Sequence, residues 1–293
     1  MDFPMPLASH DHHAFQVPYA GPGADDTDAG FINANSVGVA PLPLPGVVAA
    51  AAASEATSAT LQNQLYLLQA GNASATAYTD LHQGGIGDCY LLSSIGEVAL
   101  QSPSFIHNMI TANPDGTETV RLYEAADGQL PGFSATSFKP VSETVSNVFD
   151  PKSVNSQPGQ DSQGSVHEIW PQVLEKAMAQ LSGGYGSIDH GGWPALAMEE
   201  LTGQKASLMS LADVTAPMLQ ADISAHDLAV LDTTTADPTY NVVGGHAYMI
   251  TGLVNGSAGP EVACANPWGF DQPSLVPVSQ LSHVFSGINV GMV

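Results

Sequence analysis

Residues Gln83 to Leu92 read QGGIGDCYLL, and this stretch constrains the chain more than any other. Its three glycines permit a tight turn. Directly behind them, Leu92, Ile95, Val98 and Ala99 form an apolar stripe that predicts a buried helix starting at Cys89, with Asp88 as its N-cap. A thiol in that place lies beside the unpaired amides of a helix N-terminus, which favour its thiolate form. The same pattern also describes an inert cysteine packed as a small hydrophobe, so the rest of the chain must decide between the two.

A chain of 293 residues has room for one large or two medium domains with a full core. Its only two cysteines, Cys89 and Cys264, give no disulfide framework, and no Cys or His pair has zinc-ligand spacing. With 28 acidic and 5 basic side chains the formal net charge is −23, which excludes nucleic acid or an anionic membrane surface as a partner bound by charge. The apolar tract VVAAAAA near residues 47 to 53 is too short to span a bilayer. No Lys or Arg precedes Arg121, so the start of the chain lacks the cationic region of a secretory signal. A cytoplasmic location and export by a non-classical route both remain open, and the acidic, Cys-poor composition would suit an exported bacterial protein.

In order along the chain, residues 1–60 are dense in Pro, Ala, Gly and Ser without sustained periodicity and read as a flexible leader, either a prosegment or an export tail. His10, His12 and His13 within it read as solvated side chains. Leu61, Leu65 and Leu68 predict a short helix around 60–69, and the alternating run Thr119 to Tyr123 between PDGT and ADG predicts a hairpin. Residues 126–165 are polar and turn-rich, with no element that can be placed. Trp170, Val173, Leu174, Ala177, Met178 and Leu181 predict an amphipathic core helix with Pro171 in its first turn and a stop at Gly183. A shorter helix follows from Pro194 to Gly203. Beyond it, apart from a helix near 216–223, the pieces ASLMSL, LAVLDTT, HAYMITGLV, EVACANPW and INVGMV predict a mostly antiparallel sheet. The expected class is therefore α+β, with a helical lobe over 61–204, a β lobe over 205–293 and a cleft between them.

A cysteine used as a nucleophile needs a base, and histidine is the side chain whose pKa suits it near neutrality. His246 opens the strand HAYMITGLV directly after Gly244-Gly245, and Asn266 ends the next apolar strand, followed by Pro267 and Trp268. Paired antiparallel, the two strands would let the Asn266 carboxamide fix the imidazole tautomer while Trp268 shields that bond from water. Cysteine on a helix, with His and Asn far downstream on strands, is the order of papain-like thiol hydrolases.

Four separated blocks carry a closer resemblance. QGGIGDCYLL, EIWPQVLEKAMAQLSGGYGSIDHGG with ALAMEELTG behind it, GGHAYMIT and ANPWG resemble, in that order, the segments of the calpain protease core, from about Asp80 to Val293. The resemblance implies Cys89 as nucleophile, His246 as general acid/base and Asn266 as its orienter. It also implies the Gln83 carboxamide with the Cys89 amide as oxyanion donors, and room for substrate at Gly245 and beside Trp268. Protein or peptide substrates, a thioester at Cys89 and action as a monomer follow.

The same resemblance implies one Ca²⁺ site in the first lobe, with Asp80 and Glu168 as carboxylate ligands and carbonyls near 73–75 beside them. A second site is not expected, because the acidic loop after ANPWG is shortened to FDQPS. Tyr90 stands where the family has Trp, and only QLPG at 129–132 resembles the family's Asp-Asp-x-Leu-Pro element. A calpain-like cysteine endopeptidase is the reading that unites these residues. Its rivals are a peptide-binding module that no longer cuts, and an acyltransferase or amidase on the same scaffold.

Overall fold

The computed structural model describes residues 62–126, 135–157, 159–257 and 259–293. The expected leader at 1–60 and the QLPG segment lie outside them. In chain order the elements of the first half are β1 (Gln62–Gln64), α1 (Cys89–Gln101), α2 (Pro103–Met109), β2 (Ile110–Ala112), β3 (Thr117–Ala125), β4 (Phe138–Ser146), β5 (Ser162–Gln163), β6 (Val166–Glu168), α3 (Trp170–Leu181), α4 (Tyr185–Ile188) and α5 (Pro194–Thr202). The second half holds β7 (Ser207–Met209), α6 (Ala216–Ala225), β8 (Leu228–Asp232), β9 (Ala247–Gly256), β10 (Gly259–Ala265), β11 (Val276–Pro277), α7 (Leu281–Val284) and β12 (Gly287–Gly291).

The helix expected behind the glycine turn is α1, and it is buried nearly all round: Cys89 and every residue from Leu91 to Ala99 are inside. Such a helix serves as an internal strut. One side meets α5 and α3, the other meets β8 and β9. The long predicted helix is α3, with Pro171 in its first turn and Trp170, Val173, Leu174 and Ala177 fully buried. The helix from Pro194 is α5, ended by Gly203 in the left-handed conformation (φ 70°).

Strands β11, β10, β9, β8, β12 and β7, in that spatial order, make one six-stranded sheet, antiparallel throughout. In β8 the period of two divides the side chains between two cores. Leu228 and Val230 join the α1 and α3 residues, whereas Ala229 and Leu231 face a second cluster with Tyr248, Ile250, Val262, Phe285 and Ile288. The main core thus runs unbroken from the helices into the sheet, as expected of an α+β protein.

Three features depart from the sequence reading. No helix forms over the described part of 60–69: Gln62–Gln64 is a strand parallel to β6, with Gln62 paired to Val166, and Leu68 is 60% exposed. Three successive polar residues cannot supply a core-facing helical stripe. Instead the main-chain oxygens of Gln64 and Leu65 accept from Ile169 and Trp170 at the head of α3. The predicted hairpin exists but belongs to a three-stranded sheet, β2-β3-β4, whose third strand arises within the stretch that could not be assigned. A second small sheet, β1-β6-β5, is also present, so the helical half carries strands as well.

Several carboxyl groups are buried here with no cation facing them among the described residues. Burial pushes Glu97, on α1, up to about 8 and Asp232 up to about 7. Glu175, on α3, is raised by the same cause. The folded chain therefore keeps protons at pH values where the unfolded chain, with ordinary carboxyl pKa values, has released them, and stability falls as pH rises through that window. His246 is shifted the opposite way, and its effect is confined to pH below its unfolded value. Calorimetry should find the melting temperature dropping by on the order of a few degrees between about pH 6.5 and 8.5. A rise over that interval would contradict the uncompensated burial of these acids.

Candidate active site

Cys89 is the first residue of α1, and the turn before it is held from below. The Gly85 amide donates to the Lys152 carbonyl at 2.8 Å, and a Cβ on Gly84 would lie 2.1 Å from that oxygen and 2.4 Å from the Ser153 oxygen. Only glycine fits at 84. Asp88 occupies the N-cap position, yet its carboxyl makes no cap bond to the helix; it lies instead among Gln83 and Glu175. The expected capping role is therefore not the one observed, because a buried carboxyl with a neighbouring donor and acid has partners other than the helix amides.

His246 immediately precedes β9, and Asn266 follows β10; the antiparallel pairing of Met249 with Ala265 brings the two together. The His246 Nε2 to Asn266 Oδ1 distance is 2.9 Å. The Trp268 amide donates to the same Oδ1 at 3.0 Å, and Asn266 Nδ2 donates to the Asp271 carbonyl at 3.2 Å. Asn266 thus presents only an acceptor to the ring, which places the proton on Nε2 and leaves the Nδ1 lone pair as the base. Nδ1 is buried and has no hydrogen-bond partner among the described residues. The Trp268 ring covers His246 with centroids 4.7 Å apart, and Tyr248 meets it edge-on at 4.9 Å. The short FDQPS loop, noted in the sequence only for its lost acids, also supplies Gln272 Oε1, which takes the Asn266 amide at 2.9 Å.

The two halves are tied around these residues. Ser93 Oγ donates to the Ala247 carbonyl (3.0 Å), and the Gln83 amide donates to the Pro267 carbonyl (2.9 Å). Between them is a pocket of about 240 Å³, counted with its space open to solvent. Cys89, Tyr90, Gly191 and Gly192 line it from the helical half, and Asp232, Gly245, His246 and Ala247 line it from the sheet half. Gly245 adopts φ 65°, a left-handed turn that leads the chain into His246. Trp268 lies behind the imidazole rather than on the pocket wall.

Thiol and imidazole line the same pocket, and burial works against the charge of each. Burial pushes Cys89 up to about 12, against the pull of the Ala247 and Tyr90 amides and with the help of the Asp88 and Asp232 charges. Burial pushes His246 down to about 4, against the Asn266 bond. Desolvation thus opposes the stabilisation of the thiolate expected from the helix terminus. The Gln83 side chain is turned inward: its Nε2 donates to the Ile86 carbonyl (2.8 Å) and to Asp88 Oδ1 (3.3 Å).

Asp80 and Glu168 lie close enough to repel one another, and Asp161, which the sequence did not single out, joins them. Asp80 is pushed up to about 6 and Glu168 to about 8, in both cases mainly by burial. Asp80 accepts from Ala77, Asn72 and Trp170, and Glu168 accepts from Leu67 and Gln69. Asp161 accepts from Gln69 and pairs with His82 at 3.2 Å. This all-oxygen, carboxyl-rich donor set fits a hard cation better than zinc. Among the described residues no three acidic, His or Cys side chains converge closely enough to hold a metal alone, so carbonyl and water oxygens would have to complete the shell.

Asp232, Tyr90 and the Gly191-Gly192 pair are pocket residues that sequence reasoning missed. One signal was legible: Asp232 is the only charged residue in the run LAVLD, an acid closing an otherwise apolar strand. Among the described residues no helix is long and apolar enough to cross a membrane.

Known proteins carry similar sequences. The family model described as calpain family cysteine protease matches residues 61–274. Calpain clp-1 of Caenorhabditis elegans is 27% identical over 224 residues, covering 71% of this chain and 27% of that protein. Calpain clp-4 of the same organism is 28% identical over 206 residues, and human calpain-8 is 28% identical over 210 residues; each alignment covers 65% of this chain. The chain spans little more than a quarter of the length of these curated relatives. With both halves of the pocket inside the matched range, the chain belongs to the calpain family of cysteine proteases, and its fold is the calpain protease core.

Proposed function

We propose that the chain is a working endopeptidase that hydrolyses peptide bonds through a thioester at Cys89. The observation that carries this reading is the orphaned, buried Nδ1 of His246, a base with its tautomer fixed by Asn266 and lining the same pocket as the thiol. The proton passes from sulfur to Nδ1, and sulfur attacks the scissile carbonyl. The imidazolium then gives that proton to the leaving amine; water, deprotonated by the same ring, attacks the thioester carbonyl, the C–S bond breaks to release the acid product, and the ring returns the proton to sulfur. Asn266 accepts from Nε2 throughout and stabilises the charged ring. The main-chain amide of Cys89 is one oxyanion donor. Gln83 becomes the second once its longer bond, to Asp88, is released toward the substrate.

Calcium enters this reading as a stabiliser of the first half, held by Asp80 and Glu168 with neighbouring carbonyls. Its charge would relieve the repulsion among the buried acids and, through Trp170 at the head of α3, brace the support on which α1 rests.

With a quenched protein or peptide substrate, Cys89→Ala should lose at least about 10³-fold in kcat, and Asn266→Ala roughly 10²-fold through misorientation of the ring. Retention of wild-type turnover by Cys89→Ala refutes the peptidase. For the cation, millimolar Ca²⁺ should raise the melting temperature of the wild type and leave Asp80→Ala unmoved. An identical rise in the variant would place the binding elsewhere.

A further inference from the structure

Among the described residues Asp232 is the one acidic side chain on the pocket wall beside Cys89 and His246, and nothing in the chemistry above uses it. It ends β8 opposite Ala247, the residue after the catalytic imidazole, and is only 6% exposed. Its carboxyl is held in one orientation. Asn289 Nδ2, on β12, donates to Oδ2 at 2.6 Å, and Asn289 is itself set by the Ala195 amide, which donates to its Oδ1 at 3.2 Å. Among the described residues no group donates to the second carboxylate oxygen, and no Lys or Arg faces it. Its second oxygen is thus left to accept from a group that enters the pocket.

Resting on the peptidase reading, we propose that Asp232 is a specificity determinant: it receives the cationic side chain of a Lys or Arg in the substrate, next to the scissile bond. The charged end would pair with the open carboxylate oxygen, while the apolar stem of such a residue lies along Tyr90 and the Gly191-Gly192 backbone. Burial holds Asp232 up to about 7, and an incoming cation supplies a counter-charge. The remainder of the molecule favours the same substrates: a net charge of −23 concentrates basic peptides around it. Asn289 acts as a positioning residue by keeping the carboxyl turned toward the pocket.

The test uses quenched peptides that differ by a single exchange of Lys for its uncharged isostere norleucine, made in turn at each position around the cleavage site. At one position the wild type should cleave the Lys peptide with a kcat/KM at least tenfold above that of the norleucine peptide, and Asp232→Asn should bring that ratio to within about twofold of one. Equal rates at every position, or a ratio unchanged in Asp232→Asn, overturn the proposal, and the first of these needs no variant at all. Binding of the same peptide pairs to Cys89→Ala, read by fluorescence anisotropy, separates the two levels of inference. If the wild type cuts neither peptide yet Cys89→Ala binds the Lys form more tightly, the hydrolase reading fails and the assignment of Asp232 survives. If cutting is seen without preference, the hydrolase stands and Asp232 is only structural.

Discussion

The burial of α1 between the helices and the sheet is the constraint on which the site depends. A helix exposed on one side could carry a nucleophile but could not fix its distance to a base on another part of the chain. Here the same helix packs on α5 and α3 and on β8 and β9, and one apolar core contains residues from all of these elements. Ser93 and Glu97, polar residues inside that helix, extend the link. Ser93 donates to the carbonyl of Ala247, and Glu97 accepts from the Ile250 amide at 2.7 Å, next to the register shift between β9 and β10. Each satisfies a buried main-chain group of the sheet, so the strand bearing His246 is set by contacts of the helix bearing Cys89.

On the sheet side the unit of precision is the Asn266 carboxamide. Its oxygen takes two donors and its nitrogen gives to the Asp271 carbonyl, so rotation by half a turn would set donor against donor. The ring it orients is closed in by two aromatic side chains. Desolvation acts on thiol and imidazole in the same sense, against the charged form of each.

Much of this was legible in the sequence because the relevant signals were local. QGGIGDC placed the nucleophile at a helix start, and the strong apolar periodicity of Trp170 to Leu181 fixed α3. The turn residues around His246 and Asn266 marked where two strands begin and end. What stayed hidden was set by distant partners. Gln62–Gln64 became a strand only because β6, a hundred residues on, offers an edge to it. Asp161 is an ordinary loop acid until the fold carries it to His82 and Gln69. Gln83 follows the motif perfectly in sequence, yet its amide points at Ile86 and Asp88, a choice governed by unpaired acceptors that no local pattern announces.

The scarcity of basic residues has an effect beyond the pocket. Interior carboxyls such as Glu97 and Asp232 hold protons at pH values where exposed ones have released them, so the native molecule carries less negative charge near neutrality than a count of its side chains gives. On isoelectric focusing it would band at a less acidic position than the same chain in urea, and denaturing it in a weakly buffered neutral solution would acidify the medium.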